Sequence, residues 1–193
     1  LRVVLSRTLG AEIMGVAELA QSVHMIAITP LTSGLPAAVS RMTAKAEERH
    51  RLQPLAAGIS VVRVASLALI PGLLAMSPLL ARWMGDARVL PSLWFSAPCI
   101  LILGYSAAYN GYCYGVGRSH IPALAELIEQ SSRLLICLLL LAALPRLTAP
   151  WAAAIPVFST MLAEVLGLAF ALCVLRLPRE DGIAARAWRK PVL

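Results

Sequence analysis

The chain has 193 residues, 59% of them hydrophobic and only 14% charged, with a net charge of +7 and a mean hydropathy of +0.77. A soluble domain carries about 25% charged and about 45–50% apolar residues; here the apolar excess runs along the whole length, which excludes a soluble fold and indicates an integral membrane protein. The basic residues gather between apolar segments without interleaved aromatics, which argues against a nucleic-acid surface.

The opening LRVVLSRTLG does not begin with methionine and is too short for a signal peptide or a span. It reads as the end of a helix, closing near Val4, that starts upstream; the chain is expected to be a fragment of a longer protein. Five segments then approach the roughly 20 apolar residues that a span needs, at about 13–38, 55–80, 91–115, 121–144 and 150–176. The expected fold is therefore all-α, a polytopic transmembrane helical bundle. Its connections are short, and Gly85-Asp86 and the run from Pro145 to Pro150 read as turns.

Lysine and arginine divide unequally between the two sets of loops. One set holds Arg41, Lys45, Arg49, Arg51, Arg118, Arg176, Arg179, Arg186, Arg189 and Lys190, against Arg7, Arg82, Arg88 and Arg146 on the other. The richer side is expected to be cytoplasmic, which puts the basic loops and the tail inside the cell. Trp83, Trp94 and Trp151 fall near span boundaries, where amphipathic rings settle at the interface. Cys99, Cys113, Cys137 and Cys173 are widely spaced, with no CxxC or Cys/His cluster, so neither a disulfide framework nor a metal site is expected.

Polar groups inside the spans carry what functional signal there is, because an ionisable side chain at bilayer depth costs about 2.5–3.5 kcal/mol on insertion scales. In the first span Glu18, Gln21, Ser22 and Thr29 share one helical face, either a seam against neighbouring helices or the wall of a hydrated cavity. His24 points away from that face and reads as a packing residue. The same span contains ITPLTSGLPAAVSR, Ile28 to Arg41, where Pro30, Gly34 and Pro36 form a candidate hinge. Each proline removes a backbone donor, and Thr29, Thr32 and Ser33 are positioned to satisfy freed backbone groups. Arg63 lies roughly 12 Å into the second span; it either snorkels to the interface or faces a cavity and attracts phosphate, which its fork of donors suits.

In the third span Tyr105, Tyr109 and Tyr112 make an aromatic stripe read as packing. Gly111 and Gly115 form a small-xxx-small pair that permits close helix contact. The densest constellation is AELIEQSSR, which puts Glu126, Glu129, Gln130 and Arg133 on one face, with Glu129 and Arg133 spaced to pair. Glu164 stands deep in the last span, with no basic residue within one turn along the chain. For these groups a structural ion pair and a substrate or coupling-ion site are both open. No GxSxG, HExxH or Gly-rich phosphate loop occurs, so no catalytic residue is nominated and an enzyme is not expected.

SRTLGAEIMG (Ser6–Gly15), TSGLPAAVSRMTAKAE (Thr32–Glu47), LPSLWFSAP (Leu90–Pro98) and NGYCYGVGRSHIPALAELIEQSSR (Asn110–Arg133) together resemble the stage V sporulation protein B type of polysaccharide exporter. That family is related to the lipid II flippases and the multidrug and toxin extrusion (MATE) transporters, in the multidrug/oligosaccharidyl-lipid/polysaccharide (MOP) superfamily. The likeness runs in order over nearly the whole chain. It implies two helical lobes around a central cavity, with residues 1–177 the transmembrane lobe and 178–193 a basic cytoplasmic tail or inter-lobe linker. It implies transport of a polyprenyl-diphosphate-linked saccharide across the cytoplasmic membrane for cell-envelope or spore-wall synthesis, without chemistry on the sugar. It also marks Glu129, Gln130, Arg133 and Glu164 as family positions.

Three departures bear on the substrate: Gly15-Val16-Ala17-Glu18 stands where the family reads Gly-x-Tyr-Gln, GYCYG at Gly111–Gly115 where it reads Gly-Tyr-Phe-Gln-Gly, and the Arg118 to Pro122 connection is more basic. On this reading Arg63 and Arg133 attract diphosphate, while Glu18, Glu129 and Glu164 carry a coupling cation (Na+ or H+) or hold helices in register. No other cofactor is expected. The partners are the bilayer, the lipid-linked saccharide, and a second lobe or membrane chain. The alternatives are a multidrug or cation extruder of the same superfamily and a truncated membrane scaffold.

Overall fold

A computed structural model describes residues 2–143 and 148–175, and among them every regular element is helical. The elements are α1 (Arg2–Lys45), α2 (Leu52–Trp83), α3 (Leu90–Gly115), α4 (His120–Ala143) and α5 (Ala149–Leu175), with short 3₁₀ turns at Glu48–His50 and Ala87–Val89. The tail 178–193 and residues 145–147 of the expected Pro145–Pro150 turn, Arg146 among them, lie outside the described residues, while Ala149 and Pro150 already belong to α5.

α1 is two helices joined at Gly10, whose φ of 81° and ψ of 161° belong to a region that glycine alone enters freely. The opening helix, expected to close near Val4, runs on to this kink. From there α1 is continuous through both Pro30 and Pro36. The side-chain hydroxyls turn back one turn: Thr29 donates to the carbonyl of Met25 at 2.6 Å, Thr32 to Ile28 at 3.1 Å and Ser33 to Thr29 at 2.7 Å. The carbonyls that lose their helical donors to proline are those of Ile26 and Thr32, so these hydroxyls do not fill the gaps expected of them. Such back-bonding bends helices without interrupting them.

The turns that close α2 and α3 are built alike. After Trp83, Asp86 N–H reaches the Ala81 carbonyl at 3.2 Å and Gly85 N–H the Arg82 carbonyl at 3.1 Å; after Gly115, Arg118 N–H reaches Cys113 at 2.8 Å and Gly117 N–H reaches Tyr114 at 3.2 Å. Both are Schellman caps, and both need a left-handed residue, supplied by Gly85 at φ 71° and Gly117 at φ 75°. Pro91 then starts α3 at its first turn, where its missing N–H costs nothing.

α3 lies at the centre, packed on α1, α2 and α5, while α4 leans chiefly on α5. One apolar cluster joins α1, α2 and α3 through Ile28, Leu31, Val62, Leu73, Ala97 and Ile100. A second joins α1, α3 and α5 through Val16, Ala20, Leu93 and Ala153. A third joins α3, α4 and α5 through Cys113, Ile121, Ala125, Ala171 and Leu175, with Tyr109 and Tyr112 against it. Glycine brings backbones together along the α1–α3 seam. A Cβ at Gly111 would lie 2.7 Å from the Pro36 carbonyl oxygen, and one at Gly115 would lie 2.6 Å from Thr43 Cβ.

The outside of the bundle is apolar. Leu67, Ile26 and Leu127 are 77%, 76% and 62% exposed, whereas Ser66, Ser92, Ser96, Ser159, Thr160 and Glu164 are buried. Ser92 uses its hydroxyl across the interface, donating to the Ala153 carbonyl of α5 at 3.2 Å. Polar side chains buried between helices inside an apolar shell suit lipid, because lipid supplies no hydrophobic force between helices and polar contacts help hold them. Four stretches, Glu12–Lys45, Glu48–Trp83, Ala87–Gly115 and Ala149–Leu175, are long and apolar enough to cross a membrane. α4 has 24 residues, about 36 Å at 1.5 Å per residue, and is set apart from those four by Glu126, Glu129 and Arg133.

The two ends of the bundle differ. At one end, the 46–51 and 116–119 connections sit together, since Gly115 packs on Thr43. At the other, Arg88 Nη1 pairs with Glu12 Oε1 at 2.7 Å and Arg88 Nη2 with Asp86 Oδ2 at 2.8 Å. The Arg88 side chain and backbone N–H, both bonded to Asp86, hold its carboxyl below the usual value. Trp83, Trp94 and Trp151 ring this second end, all of them exposed.

Candidate functional site

α1, α3, α4 and α5 line a half-open cavity of about 350 Å³. Its walls carry Thr32 and Pro36 from α1, Ser106, Asn110 and Tyr114 from α3, Glu126, Glu129 and Gln130 from α4, and Glu164 and Gly167 from α5. The helical period places the α4 residues on one face, and Gly167 packs against them. A Cβ at Gly167 would lie 3.4 Å from the Ala125 carbonyl oxygen and 3.5 Å from Glu129 Cβ, ordinary contact distances.

Arg133 is not among the lining residues, but its Nη2 donates to Glu129 Oε1 at 2.6 Å and lies 3.9 Å from Glu164 Oε1. The three side chains are 24%, 17% and 6% exposed, so the cluster is largely withdrawn from solvent. Glu164 has no basic neighbour along its own helix, but α4 supplies one. Arg133 Nε is buried and has no hydrogen-bond partner among the described residues, and the same holds for His24 Nδ1. His24 is buried on α1, in keeping with a packing residue that retains an unused polar atom.

The other residues singled out from the sequence lie elsewhere. Glu18 is half-buried on α1 and does not line the cavity. Ser22, Thr29 and Ser33 on the same helix are exposed, so the polar stripe of α1 runs along its open side. Pro30 and Gly34 are exposed beside it, and Pro36 turns inward to the cavity. Arg63 is exposed on α2, where its Nε donates to Tyr105 Oη at 3.2 Å. It lies in a separate groove between α2 and α3 that shares no lining residue with the cavity. The two arginines read together from the sequence therefore occupy two different places.

Sequence reasoning missed Ser106, Asn110 and Gly167. Ser106 and Asn110 stand one turn apart within an apolar span, the same signal that revealed Glu126 and Gln130. Gly167 gives no such signal, because its role depends on which helix faces it.

Helices long and apolar enough to span, an apolar outer surface and a largely buried ion cluster beside a partly polar cavity define a multi-pass membrane protein. A family model described as "Polysaccharide biosynthesis protein" matches residues 1–190. The chain belongs to that family, in line with the resemblance read from its motifs. Stage V sporulation protein B of Bacillus subtilis (strain 168) is 30% identical over 138 residues, which cover 69% of this chain and 27% of that protein. The chain thus spans about a quarter of the length of the curated relative it matches. No solved structure matches it.

Proposed function

We propose that the chain is one lobe of a transporter that moves a lipid-linked saccharide across the cytoplasmic membrane by alternating access, with its basic loops inside the cell. Family membership supports a transporter rather than an enzyme. The observation that carries the mechanistic reading is the pair Glu129 and Glu164 on the wall of a half-open cavity, with Arg133, outside the lining, against both. One guanidinium faces two carboxylates, and Glu126 adds a third acid to the lining. The cavity thus suits a coupling cation, H+ or Na+, better than a diphosphate, which would have to displace both carboxylates from Arg133. A cation arriving between Glu129 and Glu164 competes with Arg133 and loosens α4 from α5. The saccharide headgroup passes along the open polar face of α1, where Glu18, Ser22, Thr29 and Ser33 stand, against the second lobe.

The test is translocation of a lipid-linked saccharide in membranes that contain the protein, with and without a Na+ or proton gradient. Glu164→Gln, which keeps shape and removes the charge, is expected to abolish the gradient dependence. Gradient-driven transport at the wild-type rate in a folded Glu164→Gln protein would sink the coupling role. A lining that holds the carboxylates of Glu126, Glu129 and Glu164 and no arginine also favours a second reading, extrusion of cationic amphiphiles. Competition between a cationic dye and the saccharide separates the two: transport of the dye alone supports the extruder.

Pro30, Gly34 and Pro36 serve in this scheme as the pivot of α1, a role supported by Thr32 and Pro36 lining the cavity. Pro36→Ala is expected to insert normally and lose transport; full activity would reduce the prolines to packing.

A further inference from the structure

We propose that the groove between α2 and α3 is a binding site for one anionic phospholipid, its phosphate on Arg63 and an acyl chain along Leu67, Ile70, Pro71 and Leu101. The groove has a volume of about 490 Å³ and is lined by these residues with Ser66 and Tyr105. Arg63, Ser66, Leu67, Ile70 and Pro71 follow the helical repeat on one face of α2, and Leu101 and Tyr105 stand one turn apart on α3. One end of the groove is therefore cationic and the rest is apolar.

Two polar groups at the cationic end are left for a ligand. Arg63 has Tyr105 Oη as partner for its Nε, which orients the guanidinium, and among the described residues no carboxylate pairs with it. Ser66 is only 2% exposed, and its hydroxyl has no hydrogen-bond partner among the described residues. A phosphate accepts from both kinds of donor, and the guanidinium fork matches its oxygens bidentately.

The depth is that of a lipid. α2 has 32 residues, about 48 Å against a hydrocarbon core of about 30 Å. Centred, it overhangs by about 9 Å at each end, and Arg63 lies about 16 Å from its start. Its backbone then sits about 7 Å inside the core, a distance that a snorkelling arginine spans to reach the phosphate plane. From Arg63 to Pro71 the groove continues about 12 Å inward, to just past the midplane, the direction an acyl chain takes. A net-negative headgroup complements Arg63 better than a zwitterionic one, whose own cation competes for the phosphate.

The experiment uses the full chain purified in zwitterionic detergent and offered phosphatidylglycerol or phosphatidylcholine with identical acyl chains, with retained lipid read by native mass spectrometry. One phosphatidylglycerol per chain is expected, about tenfold preferred over phosphatidylcholine. Arg63→Ala should erase the preference, and Ile70→Trp, which keeps the charge and fills the groove, should reduce retention of both lipids. Arg63→Gln gives the same reading should the alanine variant be lost on expression. Wild-type retention of phosphatidylglycerol in the Arg63 variants, unchanged retention in Ile70→Trp, or many lipids held without preference would each overturn the site.

Discussion

Two arginines inside apolar helices meet opposite surroundings. Arg133 is held by a carboxylate one turn back on its own helix and faces a second from α5. Arg63 has Ile59 one turn back and a neutral tyrosine hydroxyl across the interface. The first arginine is neutralised within the protein and belongs to its architecture. The second is left open at the lipid-facing side, where its counter-charge has to come from outside. Depth in a membrane therefore says less about an intramembrane charge than the residues one turn away and the helix opposite.

The sharpest way to break this contrast is to remove the carboxylate of Glu129. Glu129→Leu strips Arg133 of its 2.6 Å partner, and breaking a buried pair from one side costs about 3–5 kcal/mol. A large fall in the thermal midpoint of detergent-solubilised protein is expected; an unchanged midpoint would show that Arg133 is as solvated as Arg63. Next in size is the seam that supports the cavity. Gly111→Val puts a side chain where even a Cβ would be 2.7 Å from the Pro36 carbonyl oxygen. Overpacking of that kind costs about 1–3 kcal/mol, and the loss should appear in the same melting curve.

Arg88 sharpens the comparison as an exposed, ion-paired third case. The Asp86 carboxyl is held low by Arg88, so its contribution is fully present above the ordinary aspartate value of about 3.9 and is lost as pH falls through the lowered one. The midpoint should thus stay flat down to about pH 4 and then decline. Asp86→Asn should flatten that acid limb. High salt should weaken this pair and leave the Arg133 pair untouched. The smallest effect belongs to Arg63→Ala, expected to shift stability in lipid-free detergent by no more than about 0.5 kcal/mol. A larger loss there would make Arg63 a structural residue after all.

The helices and their turns were legible in the sequence for simple reasons. Long apolar runs leave few alternatives to helix, and Gly85 marks a turn that needs a left-handed residue; the like cap at Gly117 was not read. The Glu129–Arg133 pair was legible too, because i, i+4 spacing is a property of one helix. Glu164 joining that pair was not, since its partner comes from another helix and the spacing along α5 says nothing of α4. The position of Arg63 was hidden for a different reason. α2 is apolar on nearly every side, so no amphipathic phase tells which face meets α3 and which meets lipid. The prolines of α1 suggested a gap in the helix, yet in an apolar medium exposed backbone groups cost more than a bent helix does, and the helix persists.

The glycine seam between α1 and α3 gives that bent helix a fixed side and a free side. Downstream of Pro36 the contact is backbone against backbone at Gly111 and Gly115, and two main chains so close have no side-chain freedom with which to slide. Upstream, Ile28 and Leu31 are held by interlocking side chains, which can exchange rotamers and repack. If Pro30–Pro36 is the pivot proposed above, the Glu12 end would be the lever and the Lys45 end the anchor. α3 with the last three turns of α1 would act as a single stiff post, against which the other helices swing.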